Sequence, residues 1–123
     1  MRSSFLVFSI LVASLGCSSR SAQRTAQITT GGDARRGVAA LGRYGCGSCH
    51  VIPGISGATG KVGPPLTGIG DRTYLAGELQ NTPDNMMKWI RNPQGVNPKT
   101  LMPNVGVTDQ DARDIAGYLY TLR

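Results

Sequence analysis

Histidine occurs once in this 123-residue chain, tryptophan once, phenylalanine twice and cysteine three times. A structural zinc site normally takes four Cys or His ligands, so one histidine and three cysteines, one of them in an N-terminal leader, leave too few. Aromatics make up only 6% of residues, whereas glycine reaches 17 and proline 7. That balance suits short helices joined by tight loops and speaks against a sheet sandwich. The one long apolar run, Phe5 to Ala13, is too short to span a bilayer as a permanent helix. Acidic residues are scarce, 7 against 13 lysines and arginines, for a formal net charge of +6. The basic residues are scattered, with no dense run and no interleaved aromatics, so no nucleic-acid partner is expected. The excess suits acidic protein surfaces or anionic lipid instead.

What is present is concentrated in Cys46-Gly47-Ser48-Cys49-His50. Two cysteines separated by two residues and followed at once by histidine form a c-type haem attachment sequence, in which the thiols join the two vinyl groups and the imidazole binds iron. One helical turn sets two thiols along one porphyrin edge and the next side chain under the metal, and another spacing would misplace one of the three bonds. A redox dithiol would need a surrounding βαβ pattern, and no strand and helix alternation flanks this pair. The expected cofactor is one haem c held through Cys46 and Cys49, filling much of the core of a small single domain.

Taken in order, residues 1–16 read as a secretory signal peptide: Arg2, the apolar run, then small residues. Ser14-Leu15-Gly16-Cys17 resembles a bacterial lipobox, after which Cys17 is lipidated and anchors the chain to a membrane. Ser14 departs from the aliphatic residue favoured there, and cleavage near Cys17 without lipidation is the alternative. Export fits the motif, since covalent haem c is assembled outside the energy-transducing membrane; the expected location is the periplasmic side of a bacterial membrane. Residues 17–30 are polar and lack apolar periodicity, which predicts a flexible tether. Extended, the thirteen residues Ser18 to Thr30 reach at most roughly 45 Å.

A domain is expected over 31–123. Asp33 caps a helix from Ala34 to about Tyr44, with Ala34, Val38 and Leu41 on one face. Gly37 in mid-helix costs about 1 kcal/mol relative to alanine, which predicts another helix crossing closely there. Val51 to Lys61 is a loop, and Gly63 to Arg72 is rigid and irregular with Leu66 inward; a proline carbonyl there can accept the second ring N–H of His50. Tyr74 to Glu78 is expected to form a short helical turn. Thr82-Pro83-Asp84 starts a helix that places Met86, Trp89 and Ile90 on one stripe, a core stripe that doubles as a wall for a haem. Gly95 to Pro103 cannot be helix, and Met102 sits in it with its backbone restricted by the following proline. Met102 is therefore the candidate second iron ligand. Thr108 opens a last helix with Ala112, Ile115, Ala116, Leu119 and Leu122 at helical spacing.

From Gly31 to Arg123 these motifs resemble class I c-type cytochromes, closest to small bacterial monohaem proteins and cytochrome domains associated with haem-copper oxidases. The matching residues are Cys46, Cys49 and His50; Gly63-Pro64-Pro65-Leu66 with Arg72; Trp89 to Pro93; Lys99 to Pro103; and Tyr118-Leu119. The resemblance implies an all-α cytochrome c fold of four to five short helices around one covalent haem, with the N- and C-terminal helices crossing, Gly37 against Tyr118. It implies His50 and Met102 as axial ligands, the Pro64 carbonyl holding His50, Arg72 and Thr100 near the propionates, and Trp89 beside the haem. The chain departs from the oxidase-subunit relatives in holding no copper-binding domain and no transmembrane helices.

Iron held by imidazole and thioether has both axial positions filled, which points to one-electron transfer at a positive potential rather than catalysis. The expected partners are redox proteins with acidic docking faces, namely a quinol-cytochrome c reductase, a terminal oxidase or a dehydrogenase, met by a monomer. A haem enzyme or gas sensor with a labile Met102, and an electron-entry subunit of a dehydrogenase, are the alternatives. Lipidation is checked by labelled palmitate: it should enter the protein, and Cys17→Ser should abolish both labelling and membrane fractionation.

Overall fold

The computed structural model describes residues 15–123, with side-chain surroundings from residue 20 onward. The expected signal peptide therefore lies, for residues 1–14, outside the described residues, and so does the side chain of Cys17. Helix α1 spans Leu15–Thr30, α2 Ala34–Arg43, α3 Pro83–Arg91, α4 Pro93–Val96 and α5 Asp109–Leu119. Strands β1, Tyr74–Leu75, and β2, Leu79–Gln80, pair antiparallel. Helices thus dominate, as expected for this fold.

Helices α2, α3 and α5 each begin where a side chain satisfies the first free amides. Asp33 accepts from Arg35 and Arg36 at 2.9 and 3.0 Å, Thr82 from Asn85 at 3.3 Å, and Thr108 from Asp111 at 3.1 Å. Between capped ends, α2 and α5 cross. A Cβ at Gly37 would run into the Asp114 carbonyl oxygen and lie 3.0 Å from Tyr118 Cβ, so only glycine allows this approach. Leu41, Met86, Ile90, Ile115 and Leu119 form the core beneath the crossing. Val38 departs from the expected face: it is 37% exposed, because α2 turns Ala34, Gly37, Ala40 and Leu41 inward.

Three further expectations are corrected. Residues 17–30, read as a slack tether, belong to α1, whose Ala26 is fully buried. Its contacts use small residues that carry no apolar periodicity. A Cβ at Gly117 would lie 2.7 Å from Ala26 Cβ, and Thr30 Oγ1 donates to the Arg113 carbonyl at 2.8 Å. Residues 74–80 form a hairpin in place of the helical turn expected over 74–78: Ala76 and Gly77 take positive φ of 53° and 72°, outside right-handed helical geometry, and Glu78 N–H closes onto Leu75 O at 3.0 Å. Gly95 and Val96 are helical within α4, since Pro93 opens a turn that Asn97 N–H closes onto Pro93 O at 2.8 Å; proline is tolerated at a first helical position.

Asp114 ties the crossing together. It is 1% exposed, and a buried carboxylate must be paired. Arg36 donates to both of its oxygens at 2.8 and 3.1 Å, the Asp33 amide at 2.7 Å and Gln110 at 3.0 Å. Burial alone would raise its pKa; the Arg36 contact, the Asp33 amide and Gln110 outweigh it and hold the carboxyl below its ordinary 3.8. A depressed folded value means that the stabilisation is present above 3.8 and is lost as pH falls through the lower folded value. Asp114→Asn should therefore lower holoprotein stability by about 1–3 kcal/mol at pH 7 and flatten its acid dependence, measured by denaturant unfolding at pH 7 and pH 3. The Arg36 side chain is 59% exposed, so solvent screens part of the pair.

A candidate haem pocket

α2 hands the chain to the motif through Gly45, whose φ of 69° ends the helix. A single 3-10 turn, Cys46–Ser48, follows, and the amides of Cys49 and His50 both donate to Cys46 O, at 3.2 and 3.0 Å. The turn brings both thiols and the imidazole to one side of a cavity of about 510 Å³. Burial pushes the Cys46 thiol above its ordinary 9.0.

His50 is held in one orientation. Its Nδ1 donates to the Pro64 carbonyl at 2.7 Å, which leaves Nε2 as the ring's free lone pair. Gly63 N–H donates to Cys49 O at 2.8 Å and Leu66 N–H to Val51 O at 2.8 Å, pinning the loop that offers this carbonyl. Gly63 leaves room for the ring: a Cβ there would meet the imidazole, 2.7 Å from Nδ1 and 2.9 Å from Nε2.

Leu66 and Pro64 line the same cavity, and so do Trp89 and Ile90 from α3. Leu41 of α2 and Ile115 and Leu119 of α5 complete an apolar wall. Met102 and Thr100 enter from the loop after α4. The Met102 amide donates to Thr100 Oγ1 at 3.2 Å, and Thr100 N–H donates to Asn97 O at 3.1 Å. Arg72 lines the cavity, yet its guanidinium donates to the Pro65 and Thr67 carbonyls. It braces the loop that presents Pro64. All ten residues expected from the sequence, spread from Cys46 to Met102, meet around one space.

Sequence reasoning missed several supports. Gln94 Nε2 donates to the Met102 carbonyl at 2.6 Å. Asn81 Nδ2 donates to Ile69 O and Arg72 O at 2.8 and 2.7 Å, and Asn81 Oδ1 accepts from Tyr120 at 2.7 Å. Amides in loops and short turns have no periodicity, and only their partners across the fold reveal them. Gly63 is legible in the sequence as part of its motif, but its role in leaving room for the His50 ring is set by a contact across the fold.

The residues fit a haem in kind and arrangement. Two thiols and an oriented imidazole share a mostly apolar cavity, with a thioether on its lining and an arginine and a threonine among its polar groups. A family model described as "Cytochrome c" matches residues 34–123. The chain belongs to the cytochrome c family. Membership carries a covalently bound haem c and haem-based electron transfer, and the pair Cys46 and Cys49 with His50 is the matching attachment site. The domain is similar to "Cytochrome c oxidase subunit 2" of Alkalihalophilus pseudofirmus, 33% identical over 79 residues, covering 63% of this chain and 22% of that protein. It is likewise similar to "Cytochrome c oxidase subunit 2" of Bacillus sp. (strain PS3), 29% identical over 82 residues, covering 63% of this chain and 23% of that protein. The chain thus spans less than a quarter of the length of these relatives.

The space beside His50 is directly testable. Gly63→Ala should destabilise the holoprotein by about 1–3 kcal/mol through overpacking. Gly42→Ala, in α2 with nothing within 4 Å of its Cβ, should instead stabilise it by up to about 1 kcal/mol through helix propensity. Thermal unfolding of the two variants checks the opposite signs.

Proposed function

We infer that the cytochrome c domain carries single electrons with His50 and Met102 as the two axial ligands of its iron, between a quinol-oxidising complex and a terminal oxidase. Haem, when bound, supplies a one-electron iron couple. The observation that carries the assignment is the His50 Nδ1 bond to Pro64 at 2.7 Å in a cavity that Met102 also lines. His50 keeps Nε2 for the metal, and Met102 offers a soft thioether that favours the ferrous state. With both residues bound, oxygen and substrates find no open position. Leu41, Ile90, Ile115 and Leu119 exclude water, which disfavours the extra charge of ferric iron and raises the potential.

The acceptor is proposed from two observations. Proteins similar to this domain bear the name cytochrome c oxidase subunit 2, and a net charge of +6 steers a weak, salt-sensitive encounter with an acidic face. The chain is exported and anchored through a lipid on Cys17. Among the described residues no helix is long and apolar enough to cross a membrane. An anchor at Cys17 joins the membrane to the domain through α1, a helix packed on α5, so the haem is carried on a stiff arm.

Absorption spectra of the holoprotein test the ligand pair. The ferric wild type should show a methionine-to-iron charge-transfer band, and the ferrous form should not change on adding carbon monoxide. Met102→Ala should lose the band and bind carbon monoxide. Prompt carbon monoxide binding by the wild type at neutral pH would overturn the assignment and favour an enzyme or sensor.

A further inference from the structure

Pro103 follows Met102 and has no N–H, and the residue before a proline is confined to extended geometry. Among the described residues no backbone amide donates to the Met102 carbonyl. Its partner is Gln94 Nε2 at 2.6 Å, reaching eight residues forward. The arm that carries Gln94 is stiff. Pro93 is among the most completely buried side chains, Asn92 Oδ1 caps the turn by accepting from Gly95 N–H at 3.1 Å, and Asn97 N–H closes it onto Pro93 O at 2.8 Å. From the same Asn97, Oδ1 accepts from Lys99 N–H at 2.9 Å and the carbonyl accepts from Thr100 N–H at 3.1 Å. Thr100 Oγ1 then accepts from Met102 N–H. The Met102 residue is thus clasped at its amide by Thr100 and at its carbonyl by Gln94.

We propose that Gln94 is a positioning residue for Met102, holding the loop so that the thioether stays in place and an outside ligand is kept off the iron. This rests on Met102 being an axial ligand. An external ligand binds only the fraction of molecules in which Met102 has swung away, so its apparent affinity is the intrinsic affinity reduced by that fraction. Loosening the carbonyl clasp enlarges the fraction without touching the iron, His50 or the thioether. Loss of one such hydrogen bond corresponds to about a three- to tenfold change in that equilibrium.

The test is imidazole titration of the ferric holoprotein, followed by the methionine-to-iron band, for wild type, Gln94→Ala and Gln94→Glu. Glutamate keeps the length of glutamine and removes the donor, so it serves where alanine leaves too little folded protein. Both variants should bind imidazole about three- to tenfold more tightly than wild type. Gln110→Ala, which removes a bond to Asp114 on α5, is the control for general loss of stability: its melting temperature should fall while its imidazole affinity stays within twofold of wild type. Unchanged imidazole affinity in Gln94→Glu alongside a lowered melting temperature would overturn the proposal and reduce Gln94 to a structural bond. Failure of the ligand assignment looks different: Met102→Ala would then have the same ferric spectrum as wild type, and the proposal would fall with it.

Discussion

The close crossing of α2 on α5 is the constraint on which the other features depend. Gly37 removes the side chain that would hold the two helices apart, and the Asp114 carboxylate, paired with Arg36 and the Asp33 amide, secures the contact from the far side. The crossing aims α2 so that its C-terminal end delivers Cys46 to His50 to the cavity that Leu41, Ile115 and Leu119 also line. A wider separation would pull the attachment motif away from that apolar wall. The buried carboxylate is expensive to desolvate, and its several donors offset the penalty while fixing one relative placement of the helices.

Around that crossing the two walls of the pocket are built differently. On the histidine side a backbone carbonyl, Pro64 O, sets the ring, and its loop is held by Arg72 and by amides of Gly63 and Leu66. On the methionine side the loop after α4 is held by a chain of backbone and side-chain bonds from Asn97 through Thr100, with Gln94 of α4 closing it. Imidazole orientation is thus set by a short rigid loop, whereas thioether placement is distributed over several exposed or half-buried polar groups.

The +6 charge of the chain is spread, and four of its arginines, 36, 43, 91 and 123, are engaged by Asp114, Asp111, Asp109 and Asp71. Part of the basic excess therefore serves the fold. Arg72 and Arg113 are likewise held, by the Pro65 and Thr67 carbonyls and by Gln110. Helix α1 adds a second device outside the residues matched by the family: a polar helix docked through Ala26 and Thr30 onto Gly117 and Arg113.

What the residues determined unaided was chemistry that depends on local spacing. Cys46, Cys49 and His50 fall within one turn, capping residues mark the starts of α2, α3 and α5, and the prolines confine Met102 to a loop; each is a near-neighbour effect that needs no fold to be read. The need for a close partner at Gly37 was also legible, because a glycine there weakens an isolated helix. The tertiary structure alone decided which distant groups meet. Ala26 on Gly117 gave no periodic signal, so α1 read as a tether; Ala76 and Gly77 turned an expected helical turn into a hairpin; Gln94 and Asn81 found carbonyls whose positions only the packed chain defines. Local preference sets where elements start and stop, but the partners of a loop amide or a small-residue contact lie far away in the chain and exist only after the helices have crossed.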